Sequence, residues 1–587
     1  MASVNSCESF ADDLAKEFAN AGIKNAFLVT GGAIAPFTSA LASQGRINLH
    51  YMLTEQSAGI AAEAYGYVDG IPALLVITSG PGVTNALTPV AAAWTNSAPI
   101  VIVSGQARSS DVLGSKDSNL RQVGNQHVRT DLIVDSIVKF FYEPMVSVSG
   151  KDLVSKILQE ATEGRKGPAW LSLPQDVQRA PSSTSSLEPQ IKVSNSEEIV
   201  EAFRAALGVD LFKSRKPAIL LGAGVRTIAP QIIKFAEKFE IPVLTTWPAM
   251  DLLPGDHELY CGRPGAIPSA WLPNFVNHEA DFLLILGARL DVGQVAYNPN
   301  SFAPNARVLR VDVDKSEFER IAHRTSWFNF QLDLAAVGLI LEYFIEMNTT
   351  LNLNEWWAQI RNWKDGYPVA GKIPQNLNGQ ISTYKLLSKA SEVFNESAIV
   401  TGSSGTCIEM LLQSWDVKAG QRIINSCGIG SMGFALPAAF GVAIKLDLNE
   451  ILCIESDGSL AMNIQDLTQL INHPTIFRII VLDSSGYKSI GLSQSRLGQY
   501  SHGHNEKTAL FLPDIESLAA SLGFDVKTIS SELEVEDGVN WLAKNKKSSI
   551  LISKVSSIEE AIPRLISRPN SQGVMETPPM IELWPTN

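Results

Sequence analysis

Short apolar runs alternate with helix-period segments three times over along this chain, and that alternation restricts the fold more than any other feature. The runs are 25–29, 73–78 and 100–104 in the first third and 217–221, 242–245, 281–286 and 307–311 in the second. In the last third they are 398–401, 451–454, 478–482 and 549–553. Short, mostly apolar runs of this kind suit strands covered on both faces of a parallel sheet. The segment 9–21 puts Phe10, Leu14 and Phe18 on one helical face before Gly22, and 197–207 is helical in pattern too. Strands alternating with helices predict an α/β protein of three doubly wound parallel-sheet domains.

At roughly 100 to 200 residues per domain, a chain of 587 residues accommodates three such units and their connections. The Ser- and Pro-rich stretch 179–188 marks a linker, and 348–374, with several Asn, Trp and Pro residues and no clear period, reads as a second one. The expected organisation is a first domain at 1–180, a linker at 181–195, a central domain at 196–347, a linker at 348–375, a third domain at 376–560 and a tail at 561–587. Forty-seven basic against 60 acidic residues give a net charge of −13, which argues against a nucleic-acid surface. No apolar run approaches the ~18 residues of a membrane span. Glu8, Asp12 and Asp13 leave no basic-then-apolar leader at the N-terminus. Five scattered cysteines without a C-x-x-C pair predict a reduced, cytoplasmic protein with neither a disulfide framework nor a zinc site.

The most informative chemistry lies at strand ends in the last third. Asp457 and Gly458 follow a buried-type strand directly, and Ser459 continues the turn; α/β proteins bind ligands at the carboxyl ends of such strands. Ser484 lies 27 residues beyond Asp457, in the run Asp483, Ser484, Ser485, Gly486, Tyr487 at the end of another strand. Two strand ends can converge on one hard cation, which takes oxygen ligands and bridges to a diphosphate. An ordinary helix cap at Asp457 with a turn at Gly458 is the alternative.

These residues resemble the diphosphate-binding motif of thiamine diphosphate enzymes, and other segments extend the likeness over nearly the whole chain. The segment 54–58 around Glu55 resembles their catalytic glutamate segment, and 80–85, with Pro81 and Asn85, their pyrimidine-side turn, 26 residues on from Glu55. The segment 430–439 is similar to the one whose methionine, here Met432, holds thiamine bent. The likeness is nearest to the acetolactate synthase-like branch of 2-oxo acid decarboxylases and carboligases. It implies a thiamine diphosphate-binding fold, with Glu55 hydrogen-bonded to the pyrimidine N1′ and the Gly430 carbonyl accepting from the 4′-amino group. It implies cofactor contacts at Gly31, Pro81, Asn85, Ser404, Gly405, Thr406, Gly430, Met432, Asp457, Gly458, Ser459, Ser484, Gly486 and Tyr487. Mg²⁺ is expected on Asp457, Gly486 and Ser484, with Asp483 as an alternative. Gln126 and His127 fall on the substrate-side loop and are expected, with Glu55, in the catalytic set.

Three departures qualify what the resemblance implies. The usual leading glycine is Ser456, and the usual asparagine pair is Asp483 and Ser484. Ser493 stands where biosynthetic acetolactate synthases carry a tryptophan, which leaves room for a larger or different acceptor. In the central domain, Gly222 and Gly224 follow a strand without the third glycine of a dinucleotide motif. Gly287, Ala288, Arg289, Val311 and Asp312 resemble positions that hold FAD, so FAD is a candidate there; relatives of this fold bind ADP or nothing.

The expected function is decarboxylation of pyruvate or another 2-oxo acid and transfer of the acyl unit to a carbonyl acceptor. The alternatives are acetyl transfer to a keto-sugar, hydrolysis of a cyclic diketone, or a non-catalytic subunit that keeps the fold. The resemblance also implies a homodimer or homotetramer with its sites at the subunit interface, acting on small molecules and not on nucleic acid or membranes.

Overall fold

A computed structural model describes residues 8–116, 118–185, 196–266, 269–321 and 324–585. It contains three parallel sheets. The first runs in the order Asn48–Tyr51, Asn25–Leu28, Leu74–Ile77, Ile100–Gln106, Pro168–Pro174, Phe140–Tyr142. The third runs Arg422–Ile424, Ala398–Thr401, Glu450–Ser456, Ile476–Asp483, Ser549–Lys554, Asp525–Ile529, which is the same strand order. The central sheet has five strands, Trp327–Gln331, Arg307–Asp312, Phe282–Leu286, Pro217–Leu221 and Val243–Thr245. All neighbours within these three sheets pair in parallel, as the apolar runs predicted.

Within these three sheets the sequence reading missed six strands, and five of them are sheet edges: Asn48–Tyr51, Phe140–Tyr142, Trp327–Gln331, Arg422–Ile424 and Asp525–Ile529. An edge strand has one neighbour and partial cover, so its sequence need not be continuously apolar; Asn48–Tyr51 has no buried residue at all. The expected linker at 348–375 is corrected by a helix, Asn354–Gly366. Its buried face is a narrow stripe of Trp356 and Ile360, too sparse to show a period, and the Trp356 indole N–H donates to the Pro217 carbonyl at 3.0 Å. This helix therefore packs with the central domain. Met580 of the tail is also buried there, with its carbonyl accepting from Asn274 Nδ2 at 2.7 Å. Much of the first linker, 186–195, lies outside the described residues.

First and third domains meet through helices Glu55–Asp69 and Ala435–Leu446. Contact is close enough that a Cβ at Gly441 would stand 2.2 Å from the Ala61 carbonyl oxygen. Among the described residues no helix is long and apolar enough to cross a membrane.

Candidate active site

In all three sheets the first and third strands are neighbours, which makes the crevice beyond their carboxyl ends a topological switch point and a natural ligand site. In the first domain, Gly31 follows the first strand so closely against the third that a Cβ there would stand 2.4 Å from the Thr78 Cβ. Gly80, with φ +60°, turns the chain into the short helix Pro81–Asn85, where proline suits the first turn. Thr54 caps the helix that begins at Glu55, its hydroxyl accepting from the Ser57 amide at 3.1 Å. Asn85 Nδ2 then donates to Glu55 Oε2 at 3.0 Å. Gln126, in the left-handed conformation with φ +53°, lies over this turn; a Cβ at Gly80 would come within 2.8 Å of its carbonyl oxygen. Gly31, Glu55, Pro81, Asn85 and Gln126 thus gather at one strand-end crevice.

His127 packs within its own loop. It is buried, with Nε2 3.2 Å from Ser115 Oγ and Nδ1 without a partner among the described residues, and burial lowers its pKa. Its neighbour Ser115 belongs to the helix Ser109–Lys116, so the loop folds the imidazole into its own packing. The buried Thr78 and Ser79 hydroxyls at this strand end also lack partners among the described residues. The sequence reading passed over both, although their place between a strand and Gly80 was visible.

The third domain assembles a second group. Asp457 is 2% exposed, and its carboxylate accepts from the Gly458 amide at 2.9 Å and the Gly486 amide at 2.8 Å. The two neighbouring strand-end turns are therefore closed around one carboxylate. Gly486 has φ +137°, and a Cβ there would stand 2.0 Å from the His504 carbonyl oxygen, so only glycine fits. The Tyr487 ring lies over Gly458. Ser459 Oγ accepts from the Gly433 amide at 2.8 Å, which ties in the turn bearing Gly430 and Met432. Gly430, with φ +66°, packs near the Ser403 carbonyl, and Gly405 near Ser489, so the turn of Ser404, Gly405 and Thr406 borders the same crevice.

Ser484 Oγ donates to the Gly486 carbonyl at 3.1 Å. Asp483 accepts from the Ser485 amide at 2.9 Å and pairs with Lys554. Asp457 and Asp483 line one cavity of about 350 Å³. Burial, aided by the charge of Asp483, pushes the Asp457 carboxyl up to about 7. Among the described residues no cluster of three or more His, Cys, Asp or Glu forms a metal site by itself. Two carboxylates with a hydroxyl and a carbonyl beside them nevertheless form an all-oxygen set, which fits a hard divalent cation shared with a diphosphate.

Within one chain, the described polar contacts between first and third domains include Ser57 to Asp466, Asn96 to Ser426 and Glu63 to Ser426. None of these involves a residue expected at the site.

A cavity of about 950 Å³ opens at the central switch point. Ala223, Gly224, Gly287, Arg289, Val311 and Asp312 line it, so the segments singled out in the sequence do converge. A Cβ at Gly222 would stand 2.0 Å from the Gly287 carbonyl oxygen, which explains the first glycine of the turn. The first domain contributes Arg165, which pairs with Asp314 at 3.0 Å and with Glu317 at 2.6 Å. The volume and the Arg and Asp lining fit a nucleotide-sized ligand.

Comparison with known proteins finds the same three-domain order. The thiamine pyrophosphate enzyme N-terminal TPP binding domain matches residues 8–129, the central domain matches 210–331 and the C-terminal TPP binding domain matches 404–553. The acetolactate synthase isozyme 1 large subunit of Escherichia coli (strain K12) is 27% identical over 546 residues, covering 92% of this chain and 93% of the relative. The acetolactate synthase large subunit of Lactococcus lactis subsp. lactis (strain IL1403) is 26% identical over 551 residues, covering 92% of each. The mitochondrial acetolactate synthase catalytic subunit of Saccharomyces cerevisiae (strain ATCC 204508 / S288c) is 25% identical over 576 residues, covering 92% of this chain and 80% of the relative. With all three domains matched in order along the chain, the protein belongs to the thiamine pyrophosphate (thiamine diphosphate) enzymes and is acetolactate synthase-like.

Proposed function

We propose that the protein decarboxylates pyruvate or another 2-oxo acid and transfers the acyl unit to a carbonyl acceptor, using thiamine diphosphate and Mg²⁺. The observation that carries the proposal is Asp457, a buried carboxylate held by amides from two adjacent strand-end turns. When bound, thiamine diphosphate supplies an electron sink beside the donor carbonyl, so that CO₂ can leave.

Each residue of the chain has a distinct task in this reading. Glu55 holds a proton at the pyrimidine N1′, with its carboxylate oriented by Asn85. The Gly430 carbonyl would accept from the 4′-amino group, and Met432 would pack against the cofactor rings. Ser404, Gly405 and Thr406 offer donors at the start of the helix Gly405–Ser414 to the diphosphate. Asp457 would carry the cation, with oxygens of Asp483, Ser484 and Gly486 available to its shell. Gln126, over the Gly80 turn, faces the donor. His127 shapes that loop rather than touching substrate.

The two groups of site residues complete one another between subunits, giving a homodimer or a dimer of dimers. Support comes from the placement of the two groups at strand ends of different sheets, with the described polar contacts between first and third domains of one chain falling on other residues. The central cavity takes FAD, for which its volume and its Asp312 and Arg289 lining are suited. The scattered cysteines, with no C-x-x-C pair, go with a reducing, cytoplasmic setting in this reading.

The test is product analysis with pyruvate and a panel of ketones, keto-sugars and cyclic diketones, with and without Mg²⁺ and thiamine diphosphate. Cofactor-dependent CO₂ release together with a carboligation product is the expected result. No turnover of any 2-oxo acid by cofactor-saturated dimer would refute the reading.

A further inference from the structure

Two residues beyond Glu55, the Ser57 hydroxyl donates to Asp466 Oδ2 at 2.6 Å, and both side chains are fully buried. The Thr54 hydroxyl donates in turn to Ser57 Oγ at 2.9 Å. The hydroxyls run in one direction, from Thr54 to Ser57 to Asp466, and end on a carboxylate of the third domain. The other oxygen of Asp466 has no partner among the described residues, and burial pushes the carboxyl up to about 7. A buried carboxyl with a single hydrogen bond costs stability, and an apolar side chain would pack there at less expense. Packing therefore does not account for it.

Asp466 ends a segment that begins at Asp457. Between them, Asn463 leaves helical geometry, with φ −130° and ψ 34°, and donates to the Gly433 carbonyl at 2.7 Å. Ser459 in the same segment accepts from the Gly433 amide. This short stretch thus holds the diphosphate-end carboxylate, the turn bearing Met432 and, through Ser57, the first turn of the helix that opens with Glu55.

We infer that Asp466 is a positioning residue that locks the start of the Glu55 helix to the Met432 turn within one chain. It acts through Ser57 and through its own segment. The inference rests on the reading of Glu55 and Met432 as cofactor residues. Because the sites form between subunits in that reading, one chain's Glu55 serves one site and its Met432 the other. Asp466 then ties the two sites of a dimer together.

The experiment is amide hydrogen exchange on the cofactor-free dimer, followed by steady-state kinetics of the loaded enzyme, for Asp466→Ala, Asp466→Asn and Ser57→Ala. Asp466→Ala should speed exchange by about tenfold in peptides covering both 55–60 and 430–436. Its kcat should fall by about 10- to 100-fold, with KM and thiamine diphosphate affinity within about threefold. Asp466→Asn keeps an acceptor for Ser57 and should restore most of both losses. Ser57→Ala should reproduce the change at 55–60, and it carries the test if Asp466→Ala does not fold. Unchanged exchange at 55–60, or an Asp466→Asn variant as impaired as Asp466→Ala, overturns the inference. If exchange responds as expected but Glu55→Gln retains full activity, the tie stands and the cofactor reading falls instead.

Discussion

Asn85 donates to Glu55 Oε2 at 3.0 Å, although the two residues open and close different helices, thirty positions apart in the chain. The bond commits one carboxylate oxygen to the protein. The other, Oε1, faces Gly82, where a Cβ would stand 3.5 Å away. A carboxylate fixed on one side and open on the other can hold a ring nitrogen in a defined direction. That geometry links the helix caps of the first domain to the chemistry proposed for the site.

Glu55→Gln should slow turnover by roughly 10²- to 10⁴-fold, the range of general acid–base contributions. Binding of thiamine diphosphate, followed by quenching of intrinsic fluorescence, should change little. Asn85→Ala leaves the carboxylate in place and removes one charge-assisted bond, so its loss should be nearer tenfold. Exchange of the cofactor C2 proton at the parent rate in Glu55→Gln would exclude Glu55 as the activating residue.

Asp457→Ala should abolish Mg²⁺-dependent retention of thiamine diphosphate. Asp483 shares the cavity with Asp457, whereas the Ser484 hydroxyl is turned to the Gly486 carbonyl. Asp483→Asn should therefore weaken Mg²⁺ dependence more than Ser484→Ala does. The measurement is cofactor affinity as a function of Mg²⁺ concentration for the three variants. Equal affinity with and without Mg²⁺ in the parent would remove the cation from the site.

The central cavity should yield to one substitution. A side chain at Gly222 meets the Gly287 carbonyl, so Gly222→Val must open the turn that borders the cavity. The parent purified from flavin-supplemented medium should show flavin absorbance that is released on denaturation, and Gly222→Val should lose it. Parent protein without bound flavin, even after incubation with excess FAD, would leave the cavity to another nucleotide.

His50 should make the contact between first and third domains sensitive to acid. Its ring lies between Phe27 and Phe440, with centroids 5.1 and 5.9 Å away, and its Nε2 is 2.9 Å from Asn25 Oδ1. Burial, with a smaller contribution from His473, lowers its pKa from 6.5 to about 4. A histidine kept neutral in the fold takes up its proton on unfolding. Its contribution to stability is thus complete above about pH 6.5 and is lost as the pH falls toward 4. The buried carboxyls of Glu63 and Asp466, raised to about 7, act in the opposite sense, so the informative quantity is a difference between proteins. Between pH 7 and 5, the thermal midpoint of the parent should drop further than that of His50→Gln, by the equivalent of about 1 kcal/mol. Parallel midpoints across that range would contradict the assignment.

The strand-end part of the candidate site was legible in the sequence because strand ends announce themselves. A buried parallel strand must be continuously apolar, and a turn that lets backbone approach a ligand or another strand must carry glycine. Asp457 after residues 451–454 is read this way, whereas Gly80 and Pro81 are picked out by their likeness to the pyrimidine-side turn of thiamine diphosphate enzymes. Edge strands such as Asn48–Tyr51 carry no such signature, and the helix Asn354–Gly366 hides behind a two-residue buried stripe.

The sequence by itself determined the three-domain α/β order, the glycine turns and the acidic strand end at Asp457. Each follows from local steric or solvation rules that act within a few residues. Only the tertiary structure decided that His127 packs against Ser115, that Arg165 of the first domain borders the central cavity, and that Asp466 meets Ser57. Those contacts join residues whose separation along the chain reaches 409 positions, as in Ser57 and Asp466. Their partners are chosen by how whole sheets and helices dock, and no local pattern encodes that choice.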